Sequence, residues 1–143
     1  MSDRPFLDTN ILVYAIEIQG PEPKKAAAAL ELIRTVEPCL STQVLGEFYA
    51  AVTSPRRASA LSHDEATAWV QFWKRMEARA ITQAEVDLAL EIVGRYRIKY
   101  YDGLILATAR LAGCALVYSE DLNAGQDYGG VVVINPFVAP TGR

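Results

Sequence analysis

One histidine, two cysteines and no long apolar run narrow the field before any motif is read. Serine–histidine or cysteine–histidine chemistry would have to rest on His63 alone. His63 lies beside Ser62 and Glu65, and Ser-x-x-Glu reads as a helix-capping box, which makes it a solvated residue of a first turn. Cys39 and Cys114 each sit in an apolar stretch read as a strand, and are expected to be buried free thiols rather than a disulfide or a metal pair. No apolar run approaches the roughly 18 residues that a membrane span needs. The opening Met1-Ser2-Asp3-Arg4-Pro5 has no basic segment followed by a long apolar stretch, so no signal peptide is expected and a cytoplasmic location is. Repeats, low-complexity tracts and an interdomain linker are missing too, so residues 1–143 are expected to form one domain.

What is present is an alternation of short apolar runs with helical periodicity, which argues an α/β fold with a central parallel sheet flanked by helices. Pro5-Phe6-Leu7 reads as a strand ending at Asp8, and Thr9 to Ile16 as a short helix. After the Gly20-Pro21-Glu22-Pro23 loop, a helix is expected from Lys24 to Val36, then a strand from Pro38 to Ser41 and a helix from Thr42 to Val52. Beyond the Ser54-Pro55 break, the pattern predicts a helix from Asp64 to Ala78, with Trp69, Trp73 and Met76 on one face as core or subunit interface. A brief strand at Ala80 to Thr82 and a helix from Gln83 to Tyr96 follow. Asp102 is expected to open a helix running from Leu104 to Leu111, stopped by Gly113. Ala115 to Tyr118 and Val131 to Ile134 complete the strands. Their unbroken apolar character suits a sheet covered on both faces.

Four carboxylates fall where such a fold would use them. In an open parallel sheet, ligands bind at the carboxyl ends of the strands. Asp8 follows the first strand directly, and Asp121 follows the Ala115–Tyr118 strand by three residues. Glu47 rides on the helix leaving the second strand, and Asp102 stands at the start of the helix that feeds the strand before Asp121. Each has a plain structural use: Asp8 and Asp102 as helix N-caps, Glu47 as a solvated helix residue, Asp121 as a turn residue. Together, four converging acids would repel unless cations compensate. Oxygen-only ligands favour Mg²⁺ or Mn²⁺, one ion or two, over zinc.

The charge balance permits a polyanionic substrate. There are 14 Lys and Arg against 17 Asp and Glu, a net charge of −3, and setting the four acids aside leaves 14 against 13. Basic residues cluster at Arg56-Arg57, at Lys74, Arg75 and Arg79, and at Arg95, Arg97 and Lys99. The last cluster precedes Asp102 and is the best placed for phosphate contact. Tyr96, Tyr100 and Tyr101 are interleaved with it and could stack on an unpaired base.

Phe6-Leu7-Asp8-Thr9-Asn10-Ile11-Leu12 resembles the opening of a PIN domain. Ser41-Thr42-Gln43-Val44-Leu45-Gly46-Glu47-Phe48 resembles that family's second acidic motif, and Tyr101-Asp102-Gly103-Leu104-Ile105-Leu106-Ala107-Thr108-Ala109 its third. Ser119-Glu120-Asp121-Leu122-Asn123 and Ile134-Asn135-Pro136-Phe137 resemble its end. The likeness runs through almost the whole chain in order, and the length resembles VapC-type toxins of bacterial toxin–antitoxin pairs. That resemblance implies a metal-dependent endoribonuclease, a homodimer, a cognate antitoxin and an RNA substrate. It carries the four acidic positions onto Asp8, Glu47, Asp102 and Asp121. Thr9, Asn10 and Ser119 become polar groups that orient carboxylates or water. Glu120 adjoins Asp121 and either could be the fourth acid, the Ser-x-Asp spacing favouring Asp121. Gly103 stands where alanine is commoner, which is expected to loosen the helix start. Two other readings are a phosphatase-like enzyme with Asp8 as nucleophile, although position 10 is asparagine where a second aspartate is wanted, and a PIN-like module that only binds RNA or protein.

Overall fold

The computed structural model describes residues 4–138. In chain order the elements are β1 (Phe6–Leu7), α1 (Thr9–Ala15), α2 (Pro23–Thr35), β2 (Cys39–Ser41), α3 (Thr42–Val52), α4 (His63–Trp73), β3 (Glu77–Arg79), α5 (Gln83–Tyr96), α6 (Tyr100–Leu111), β4 (Leu116–Tyr118) and β5 (Val132–Ile134). The strands form one parallel sheet in the order β3-β2-β1-β4-β5. Phe6 lies opposite both Cys39 and Val117, and Leu7 opposite Tyr118. The chain winds outward from β1 to one edge, then crosses to β4 and β5 on the other side. The crevice between β1 and β4 is therefore a topological switch point, where open α/β sheets place their ligands.

The sheet centre is apolar on both faces because helices cover both. Phe6, Leu7, Leu40, Val117 and Val133 are completely buried, as are Ile11, Leu12, Val44, Phe48 and Leu106 from the helices. Helices α5 and α6 approach closely at Gly103. A Cβ there would lie 2.7 Å from Val93 Cγ2 and 3.3 Å from the Ala89 carbonyl oxygen. Gly103 thus lets two helices touch, a packing role beyond the expected loosening of the helix start.

Several boundaries differ from the sequence expectation. The helix expected over 64–78 stops at Trp73, and the following strand is Glu77–Arg79 rather than 80–82. Because β3 is an edge strand with a polar sequence, no apolar run marked it. Trp73 is core, edge-on to Phe48 at 5.8 Å, whereas Trp69 and Phe72 are 36% and 44% exposed. Helix α6 begins at Tyr100, so Asp102 belongs to its first turn and is not its N-cap. His63 opens α4 behind a complete Ser62/Glu65 capping box. Cys39 and Cys114 are buried free thiols, the latter just ahead of β4. Burial and the neighbouring Cys39 push the Cys114 thiol up to about 12, so it carries no thiolate at neutral pH. Among the described residues no helix is long and apolar enough to cross a membrane.

Candidate active site

Asp8 is both a cap and the centre of the switch-point crevice. Its amide continues the sheet by donating to the Tyr118 carbonyl at 3.0 Å. Its backbone then turns extended (φ −73°, ψ 161°), and Oδ1 accepts the Thr9 amide at 2.7 Å, which starts α1. Oδ2 accepts the Ser119 hydroxyl at 2.7 Å. Asp8 is only 6% exposed. Burial pushes its carboxyl up to about 6, against the pull of the Ser119 and Thr9 hydrogen bonds and with the charges of Asp121 and Glu47.

The loop after β4 is held by small polar side chains. Ser119 is fully buried and its oxygen accepts the Asp121 amide at 3.1 Å. Asn10, the second residue of α1, accepts the Glu120 amide at 3.2 Å and donates to Asp121 Oδ2 at 3.0 Å. Position 10, where phosphatase-like chemistry would want a second carboxylate, thus supplies an amide that aims one. The two neighbouring acids part company here. Glu120 accepts the Tyr14 hydroxyl at 2.8 Å and pairs with Lys25, on the α1–α2 side. Asp121 faces the other acids, and its charge bears on both Asp8 and Asp102.

Glu47 arrives from the opposite flank. The Thr9 hydroxyl donates to its Oε1 at 2.7 Å, and Gln43, one turn earlier on α3, donates to its Oε2 at 3.0 Å. The same Gln43 amide reaches the Tyr101 carbonyl at 3.1 Å, tying α3 to the first turn of α6 beside Asp102. Gln43 Oε1 is buried without a hydrogen-bond partner. The Asp102 carboxyl is raised above its ordinary value by burial and by Asp121 and Glu47, with Lys99 opposing. Four chain segments thus converge: β1–α1, α3, the start of α6 and the β4 loop.

The basic and aromatic candidates separate. Arg97 and Lys99 line an open cleft of about 520 Å³ together with Asp102, Asp121, Asn123 and Tyr128. The Arg95 guanidinium lies over the Tyr96 ring at 5.4 Å and lines a different, smaller cavity with Arg110. Of the three interleaved tyrosines, Tyr101 is 63% exposed, while Tyr96 packs edge-on to Tyr128 and Tyr100 packs against the core. Arg57 is engaged by Glu17 at 2.9 Å.

Among the described residues no three acidic, histidine or cysteine side chains stand close enough to hold one ion by themselves. The donors nevertheless suit a hard cation. They are all oxygen, the charges of Glu47 and Asp121 bear on both Asp8 and Asp102, and their hydrogen bonds orient them without neutralising them. Such ions keep several waters, so a few carboxylates and solvent can complete the shell.

Two side chains important to this geometry escaped the sequence reading. Gln43 had one available signal, its four-residue spacing from Glu47 on a helix. Lys25, which draws Glu120 aside, lies 95 residues from it and had none.

A parallel five-stranded sheet with a buried aspartate at its switch point and three further acids around it defines an acidic-centred α/β domain. The sequence pattern of the PIN domain matches residues 6–126, and the chain belongs to that family. Solved structures share the fold. A chain of a toxin–antitoxin complex from Klebsiella pneumoniae is 18% identical, with a TM-score of 0.67 over 92% of this chain and 97% of that one. A chain of DNA-bound VapBC from Salmonella typhimurium is also 18% identical, with a TM-score of 0.66 over 92% and 97%. Mycobacterium tuberculosis VapC20, described as a Sarcin-Ricin loop cleaving toxin, is 20% identical, with a TM-score of 0.64 over 81% and 88%. No curated protein matches by sequence.

Proposed function

We propose that this PIN-domain protein is a VapC-type toxin: an endoribonuclease that uses Mg²⁺ or Mn²⁺, cleaves cellular RNA in the cytoplasm, and is held inactive by a cognate antitoxin. The observation that carries the reading is the gathering of Asp8, Glu47, Asp102 and Asp121 at the β1–β4 crevice, with Asp8 and Asp102 both pushed up by burial and, secondarily, by the neighbouring acids. Structural neighbours, one from a toxin–antitoxin complex and another described as a Sarcin-Ricin loop cleaving toxin, support the same reading.

In this reading Asp8 and Asp102 hold a divalent cation directly, and Glu47 and Asp121 complete the site through water or a second ion. When bound, such a cation lowers the pKa of water and offsets charge on a scissile phosphate. The chain's own contribution is orientation. Ser119 and the Thr9 amide fix Asp8, Thr9 and Gln43 fix Glu47, and Asn10 aims Asp121. A homodimer is part of the proposal, with the exposed Trp69 and Phe72 available to it.

Induced expression in a bacterium tests the toxin reading. Wild type is expected to arrest growth, and Asp102→Asn at equal abundance is expected not to. Equal growth of both strains would count against a toxin.

A further inference from the structure

Arg97 is the one non-glycine residue among the described residues with a left-handed backbone (φ 57°, ψ 46°). It ends α5. Its amide donates to the Val93 carbonyl at 2.9 Å, and the reversal returns Ile98 to the core before Lys99 leads into α6. Glycine is the usual residue for this turn, because a Cβ is disfavoured in that conformation. The dipole at the end of α5 favours some positive charge, but Arg95 in the last turn already supplies it. Backbone strain kept at one position therefore asks what the side chain does there.

The Arg97 side chain, with that of Lys99, lines the open cleft that runs to Asp102 and Asp121. Both residues are exposed, and among the described residues neither side chain makes an ion pair or hydrogen bond. Other cations near the sheet edge are engaged: Arg57 by Glu17, Lys25 by Glu120, Arg79 by Glu85. On the far side of Asp121 a second cavity carries the carboxylates Glu17 and Glu120. Glu17 and Glu120 already hold Arg57 and Lys25, so of the two cavities it is the one at Asp102 whose lining offers cations without a carboxylate partner among the described residues.

We propose that Arg97 and Lys99 form a phosphate subsite that holds the sugar-phosphate backbone of an RNA strand beside the carboxylate cluster, with the left-handed turn at Arg97 aiming the guanidinium into the cleft. This rests on the nuclease reading above, and its test uses binding rather than cleavage.

Anisotropy of a fluorescein-labelled single-stranded RNA of mixed sequence, in EDTA over a range of salt, reads the subsite directly. Arg97→Gly suits the left-handed backbone and is expected to melt no lower than wild type. It is expected to bind about tenfold more weakly. The slope of log affinity against log salt is expected to fall by about 0.7 for each lost contact. Lys99→Ala is expected to behave alike in binding. Arg95→Ala removes the same charge outside the cleft and is expected to leave the slope unchanged. Wild-type affinity and slope in both Arg97→Gly and Lys99→Ala, or an equal loss in Arg95→Ala, would overturn the subsite and leave the nuclease reading standing. Wild type that binds no RNA at any salt would also overturn the subsite, while the nuclease reading is judged separately by cation-dependent cleavage.

Discussion

The Ser119 hydroxyl donates to Asp8 Oδ2 at 2.7 Å, joining side chains 111 residues apart across the β1–β4 crevice. The same oxygen accepts the Asp121 amide. One buried hydroxyl therefore limits how far burial raises the Asp8 carboxyl and fixes the start of the loop that carries Asp121. Ser119→Ala is expected to push the Asp8 carboxyl above about 6 and to destabilise the fold by about 1–2 kcal/mol. Carboxyl ¹³C titration by NMR and chemical denaturation check the two parts. An unchanged Asp8 midpoint would show that Ser119 does not stabilise its charged form.

The raised Asp8 pKa makes a pH prediction whose sign is opposite to that of most acids. Its ordinary value is 3.8 and its folded value about 6. Between these, the folded chain keeps a proton that the unfolded chain has lost. Stability therefore falls as pH rises through that window, by up to about 3 kcal/mol, and stays reduced above it. Asp102, also raised, adds in the same direction. In EDTA, wild type is expected to melt higher at pH 5 than at pH 7.5, and Asp8→Asn is expected to lose most of that difference. Added Mn²⁺ should reverse it, stabilising more at pH 7.5, where the carboxylates are ionised.

Glu85 runs the other way. It is completely buried in the first turn of α5, and burial alone would raise its pKa. The Thr82 hydroxyl, the Arg79 guanidinium at 2.6 Å and the Thr82 amide at 2.9 Å instead lower it to about 2. Its contribution is present above pH 4.5 and is lost as pH falls through about 2. Glu85→Ala is expected to cost about 2–3 kcal/mol in urea denaturation at pH 7, since it removes a capping box and leaves Arg79 unpaired. A loss within about 0.5 kcal/mol would mean that the pair is dispensable.

Gly103→Ala tests the α5–α6 contact. With a Cβ 2.7 Å from Val93 Cγ2, it is expected to destabilise by about 1–2 kcal/mol despite alanine's better helix propensity. Adding Val93→Ala should return part of the loss as a coupling between the two sites, measured by a double-mutant cycle.

How much of this could be read from the chain follows from where the signals are local. The apolar runs at Phe6-Leu7 and Val131–Ile134, the capping box at Ser62/Glu65 and the period of Gln83–Tyr96 are local, and the structure has elements there. The stop at Trp73 was hidden because Lys74-Arg75-Met76 carries no glycine or proline, and Glu77–Arg79 joins the sheet through backbone pairing with β2. Asp102 looked like a helix cap because Tyr100-Tyr101 gives no start signal of its own. At the site, the position of Asp8, Asp102 and Asp121 near strand or helix ends and of Glu47 on the helix after β2 was visible, but their partners were not. The Gln43 bridge to Tyr101 and the Lys25 hold on Glu120 depend on tertiary approach across 58 and 95 residues. Arg95 and Arg97, two residues apart, line different cavities because Arg95 is in the last turn of α5 and the chain reverses at Arg97.

Cleavage of mixed cellular RNA by the purified protein, freed of any co-purified partner, tests the central claim most directly. Wild type and Asp102→Asn, prepared identically, are incubated with Mg²⁺ or Mn²⁺ and with EDTA. The account predicts discrete fragments that require the cation and are absent with Asp102→Asn. Cutting by both preparations alike would be a contaminating nuclease and would give the chain no claim to the activity. Wild type that binds Mn²⁺ and RNA yet leaves every RNA intact would contradict the account and make this PIN domain a binding module.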